Sequence, residues 1–180
     1  MQSNAFTQLP AGTTLAGTSL KTETQQQLSE LMADAGWQSP AKDTTNPAKA
    51  APGRVVVFCG TDGDAHLQAA AAIAIEMNSP VYRVHLSAVV SKYILETEKN
   101  MDRLFKKAAN NKALLFFDEA DTLFAKRTEV GNAHDRYANQ EANYLLQQAA
   151  ALGVVVILSV KRKENIDNAF LRRLRFIVQF

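Results

Sequence analysis

The chain has 180 residues, with 20 Lys or Arg against 18 Asp or Glu and a formal charge of +2. That balance supplies no global field for gripping nucleic acid or an anionic membrane, and the length suits one sizeable core plus an extension. A single cysteine, Cys59, excludes a disulfide framework. No stretch reaches the length of a membrane span, and Met1 to Phe6 has neither the basic nor the apolar region of an export signal. A reducing, cytoplasmic setting is expected.

Residues 1 to 53 are rich in Thr, Gln, Ser, Ala, Pro and Lys and read as a tail. Within it, Leu28, Leu31 and Met32 share one face of a helix expected at about Thr24 to Ala35, stopped by Gly36 and followed by Trp37 as a possible anchor. Pro40, Pro47 and Pro52 make Ser39 to Gly53 an extended linker.

From Arg54 onward, short β-branched and aromatic runs alternate with longer helical patterns. The expected strands are Val55 to Cys59, Val81 to Leu86, Ala113 to Phe117, Val154 to Val160 and Phe176 to Phe180. The expected helices are Ala65 to Met77, Glu98 to Asn110 and Arg136 to Leu152, the last stopped by Gly153. Such alternation predicts βαβ crossovers and an α/β domain, residues 54 to 180, around a mainly parallel five-stranded sheet.

The first strand runs into Gly60-Thr61-Asp62-Gly63-Asp64-Ala65-His66-Leu67 and then a helix, the context of a phosphate-binding loop. In such a loop, backbone N–H groups and a helix N-terminus wrap the phosphates, a lysine reaches the outer ones, and a hydroxyl holds Mg²⁺. Here Gly60 and Gly63 stand at the first two glycine positions, but Ala65, His66 and Leu67 replace the third glycine, the lysine and the hydroxyl residue. Each charge-assisted bond contributes about 1.5–3 kcal/mol, so losing lysine and metal ligand removes roughly 3–6 kcal/mol. Asp62 and Asp64 would also repel a polyanion. Read alone, the glycines equally suit a tight strand-to-helix turn.

Leu114 to Phe117 is an apolar strand ending in Asp118-Glu119. Carboxylates at that place suit phosphoryl transfer, Asp118 orienting Mg²⁺ and Glu119 polarising a water.

The segment Ser91 to Asn100 with Leu104-Phe105 resembles the first pore-loop region of AAA+ ATPases. His134 to Glu141 and Arg162 to Phe176 are similar to AAA+ ATPases associated with bacterial contractile, phage-tail-like injection systems. The resemblance spans Arg54 to Phe180. It implies the three-layer sandwich of P-loop NTPases, ATP and Mg²⁺ as cofactors, assembly with like or unlike AAA+ subunits, and a protein substrate gripped by Lys92, Tyr93 and Ile94. It also implies that Arg172 and Arg175 reach a neighbouring subunit's site as arginine fingers.

The chain departs from that pattern at Leu95, where the pore loop has glycine, and at Lys161, where a water-positioning asparagine is usual. The family's helical lid has no counterpart between Arg54 and Phe180. Lys161, Arg162, Lys163, Arg172, Arg173 and Arg175 lack interleaved aromatics and read as a solvated face, not a nucleic-acid patch. Three functions stay open: a weakly active or non-hydrolysing subunit or regulator of an AAA+ assembly, an active ATP-driven protein remodeller, and a domain whose Asp62, Asp64, Asp118 and Glu119 hold a divalent cation without nucleotide.

Overall fold

A computed structural model describes residues 6–8, 14–34, 54–90, 94–124, 135–166, 168–174 and 176–180. In chain order these form β1 (Phe6–Gln8), a 3₁₀ turn at Leu15–Gly17, α1 (Thr22–Ala33), β2 (Val55–Cys59), α2 (Gly63–Glu76), β3 (Val81–His85) and α3 (Leu86–Val89). There follow α4 (Ile94–Asn110), β4 (Leu114–Asp118), α5 (Asp121–Phe124), α6 (Asp135–Leu152), β5 (Val156–Val160), a 3₁₀ turn at Lys163–Asn165, α7 (Asn168–Leu171) and β6 (Phe176–Gln179).

Strand pleating sends successive side chains to opposite faces, and two helical layers collect them. Val55, Val57 and Cys59 of β2 pack with Met101, Leu104 and Phe105 of α4 and Leu145 and Ala149 of α6. Val56 and Phe58 pack on the other face with Leu28 and Leu31 of α1 and with Ala69, Ala70 and Ile73 of α2. The alanines of α2 keep that helix close to the sheet, while every residue of β2 and β5 is buried. The architecture is the expected three-layer α/β sandwich.

The six strands lie in the order β1-β3-β4-β5-β2-β6, all pairs parallel except β1 with β3. This is one strand more than the sequence suggested, because Phe6–Gln8 adds itself to the outer side of β3 in the register Thr7↔Arg83. At the opposite edge, α1 bonds the open side of β6: Thr24 Oγ1 donates to Gln179 O at 2.9 Å, and Gln179 N–H donates to Gln27 Oε1 at 3.0 Å. Residues on the N-terminal side of Gly53 therefore pair the outer side of β3 and the open side of β6, which would otherwise present unpaired backbone groups.

Helix α6 ends as expected at Gly153, whose φ of +63° belongs to the left-handed region, with Val154 N–H returning to Ala149 O at 3.1 Å. Trp37, the linker prolines, Lys92, Tyr93, His134 and Arg175 lie outside the described residues. Ile94 opens α4, but its side chain is likewise outside them.

Candidate functional site

Strand order brings the ends of β2, β5 and β4 side by side, so that Gly60, Lys161 and Asp118 meet at the C-terminal edge of the sheet, where open α/β sheets bind ligands. Gly60 N–H donates to Val160 O at 3.0 Å, stitching the turn to β5. A Cβ on Gly60 would sit 2.9 Å from Phe180 Cβ and 3.2 Å from His66 Nε2, so this glycine is required by close approach. Nothing lies within 4 Å of the same atom built on Gly63.

The expected cradle from Gly60 to Leu67 is shorter than the sequence suggested. Helix α2 starts at Gly63, leaving Gly60, Thr61 and Asp62 as the whole connection. Asp62 caps the helix: Oδ1 accepts the Ala65 N–H at 3.0 Å, and Asp62 O accepts the His66 N–H at 3.2 Å. The Ala65 N–H, at the helix end that would face a phosphate, is thus turned to the chain's own carboxylate. Thr61 and Asp64 are exposed, and Leu67 packs against the α2 side of the core, without a hydroxyl to offer a metal.

His66 does not reach outward as a lysine in its place would. It is 1 % exposed, with Nδ1 2.8 Å from Ser159 Oγ on β5. Its ring lies edge-on to Phe180 at 4.4 Å between centroids and to Phe58 at 5.9 Å. Nε2 is buried without a hydrogen-bond partner. Burial lowers the pKa from 6.5 to about 4, against the opposing pull of Asp62, Asp118 and Asp121. Near neutral pH the ring is uncharged and lends no positive charge to a phosphate.

At the end of β4, Asp118 Oδ2 accepts Arg83 Nε at 3.1 Å and also contacts the Arg83 NH2 group, while Oδ1 accepts the Glu119 N–H at 2.9 Å. The carboxylate expected to orient a metal ion therefore has a guanidinium partner. Glu119 holds a left-handed backbone, φ +51°, supported by that bond and by Thr122 Oγ1 donating to Glu119 O at 3.2 Å. Left-handed non-glycine residues gather at functional sites. Glu119 is exposed, with Lys161 Nζ 3.9 Å from Oε1, a weak solvated pair. Asp121 fixes the end of β5 by accepting Lys161 N–H at 3.0 Å and Asn165 Nδ2 at 2.9 Å.

A magnesium nucleotide would find here a glycine turn, Asp118 and Glu119, but a capped helix end, a buried neutral imidazole and a leucine in place of a hydroxyl. Nor do Asp62, Asp64, Asp118 and Glu119 gather around a cation: among the described residues no three or more His, Cys, Asp or Glu side chains stand close enough to hold one. Asp62 turns instead to the helix cap, Asp118 to Arg83 and Glu119 to Lys161. Arg172 stands exposed in the turn after α7, its N–H donating to Asn168 O at 3.1 Å. Arg83, Asp121, Ser159 and Phe180 escaped the sequence reading. Arg83 shares a strand face with buried Val81, so it stands out as a charge on a core-facing row, but its partner lies 35 residues on.

Residues 56–180 match the family described as "ATPase family associated with various cellular activities (AAA)". The chain is 36% identical over 123 residues to the ATPase family gene 2 protein of Schizosaccharomyces pombe, covering 67% of this chain and 15% of that one. It is 31% identical over 146 residues to a Cell division cycle protein 48 homolog of Archaeoglobus fulgidus, covering 79% and 20%. It thus spans a fifth or less of the length of these two relatives. Its fold matches the AAA domain of FIGL-1, solved in complex with ADP, with a TM-score of 0.65 at 17% identity over 99% of this chain and 58% of that one. None of the described helices is long and apolar enough to cross a membrane. On the match across residues 56–180, this chain belongs to the AAA family of ATPases.

Proposed function

We propose that this chain serves an AAA assembly as a subunit or regulator whose own nucleotide site is degenerate, retaining Mg-ATP weakly and turning it over slowly or not at all. The observation that carries this reading is the state of the phosphate-loop segment. Its helix end is capped by Asp62, and the residue in the lysine position is buried and uncharged against Ser159 and Phe180. A neutral ring inside the core cannot follow charge that develops on a transferring phosphoryl group, which is the main service an enzyme gives that reaction. Exposed Arg172 suits a second role, lending its guanidinium to a neighbouring subunit's site, with Arg175 as its expected companion. If the motifs from His134 to Glu141 and from Arg162 to Phe176 mark kinship with ATPases of contractile injection systems, the setting is cytoplasmic and homo- or hetero-oligomeric, with a protein substrate at Lys92, Tyr93 and Ile94.

The competing reading, an active ATP-driven remodeller, draws on Asp118 and Glu119 at the end of β4, with Glu119 free of the core and Lys161 beside it. Steady-state turnover separates the two. The purified chain is expected to hydrolyse ATP slowly or not at all; rapid turnover that Glu119→Gln abolishes would establish the remodeller instead. Finger donation is checked by mixing with an AAA subunit that carries an intact phosphate loop, where Arg172→Ala should erase any stimulation.

A further inference from the structure

Asp118 is the carboxylate a divalent cation would use at the end of β4, and the fold gives it another partner. The β3–β4 register sets His85, not Arg83, opposite Asp118. Arg83 therefore extends two residues along the strand to place both Nε and NH2 on Oδ2. Oδ1 is taken by the Glu119 N–H. The pair is partly covered, with side chains 36% exposed for Arg83 and 19% for Asp118. Strand β1 runs along the far side of β3 with Thr7 opposite Arg83, so the arginine sits on an interior strand, held on both sides.

We propose that Arg83 is the resident cation of this site, standing on Asp118 where a metal ion would bind, so that the carboxylate is neutralised without metal or nucleotide. The proposal rests on the reading of a degenerate nucleotide site and says how that site is kept closed. A guanidinium suits the task because it is always charged and its planar fork fits a carboxylate edge. For a divalent ion to take Oδ2 it must first displace that fork, leaving the partly exposed guanidinium without its carboxylate and next to a second positive charge. Asp62 acts in the same sense toward anions, since its carboxylate already occupies the end of α2. The chain thus carries its own cation and its own anion at the places where the metal and the phosphate of a nucleotide would lie.

The test is Mn²⁺ uptake by the full chain without nucleotide, followed by electron paramagnetic resonance, together with thermal melting. Wild type should take up no Mn²⁺ at millimolar concentration, and its melting temperature should ignore added Mg²⁺. Arg83→Met should melt several degrees lower in metal-free buffer, recover on adding Mg²⁺, and bind a single Mn²⁺ that is lost when Asp118→Asn is added. Equal Mn²⁺ uptake by wild type and Arg83→Met would overturn the proposal, as would an Arg83→Met variant with neither uptake nor loss of stability. Should Arg83→Met fail to fold, Asp118→Asn decides: the proposal requires it to lower the melting temperature and the Arg83→Met/Asp118→Asn double variant to recover part of the loss. An unchanged melting temperature in Asp118→Asn would reject it. Rapid ATP turnover by wild type that Glu119→Gln abolishes would defeat the degenerate-site reading itself, whereas silent Arg83 variants in an inert wild type would defeat the role of Arg83 alone.

Discussion

A histidine sealed among Phe58, Phe180 and Ser159 opposes protonation of the folded chain. His66 has its pKa lowered from 6.5 to about 4 by burial, so the folded state binds the proton less readily than the unfolded state. Its contribution is fully present above pH 6.5 and is lost as pH falls toward 4, amounting to roughly 3 kcal/mol across that window. Urea melts between pH 7 and 4 should show this slope, and His66→Gln should flatten it. The loop glycines offer a second residue-scale contrast. Gly60→Ala drives a methyl into Phe180 and should destabilise by about 1–3 kcal/mol, whereas Gly63→Ala enters open space in a helical first turn and should stabilise by up to about 1 kcal/mol. Residue type alone marks the departures at His66 and Leu67. It could not tell that the imidazole turns inward, because that depends on Ser159 and Phe180, 93 and 114 positions away.

Elements show a different mixture. The β-branched and aromatic runs gave β2 in full and the other four expected strands with small changes at their ends, because continuous apolar runs in this pattern have few alternatives. β1 was invisible: three residues, Phe6–Gln8, have no period of their own and become a strand because the edge of β3 accepts them. In α1 the apolar face of Leu28 and Leu31 was legible, but its burial was not, since amphipathic spacing does not name the surface it packs against. Those leucines are 0% exposed, so Leu28→Ala or Leu31→Ala should each cost about 2–5 kcal/mol in chemical denaturation. A value under 1 kcal/mol would mean that α1 is dispensable to the core. Asp62→Ala removes the cap of α2 and should lower stability by about 0.5–2 kcal/mol while freeing the Ala65 N–H at that helix end.

For the whole molecule, three layers around a mainly parallel sheet, with Gly60, Asp118 and Lys161 at one edge, were predictable because crossover topology leaves few ways to order such strands. What composition and spacing could not convey is that the edge is already satisfied. Asp62 answers the helix end, Arg83 answers Asp118, and Ser159 and Phe180 enclose His66. The account therefore predicts a chain that folds and persists without nucleotide and contributes to an assembly through surfaces other than its own phosphate loop. Calorimetric titration of the full chain with millimolar Mg-ATP, with the mass of the species followed in parallel, tests this most directly. The account predicts no saturable heat of high affinity and no nucleotide-dependent change in mass. Micromolar binding accompanied by turnover that Glu119→Gln abolishes would contradict it.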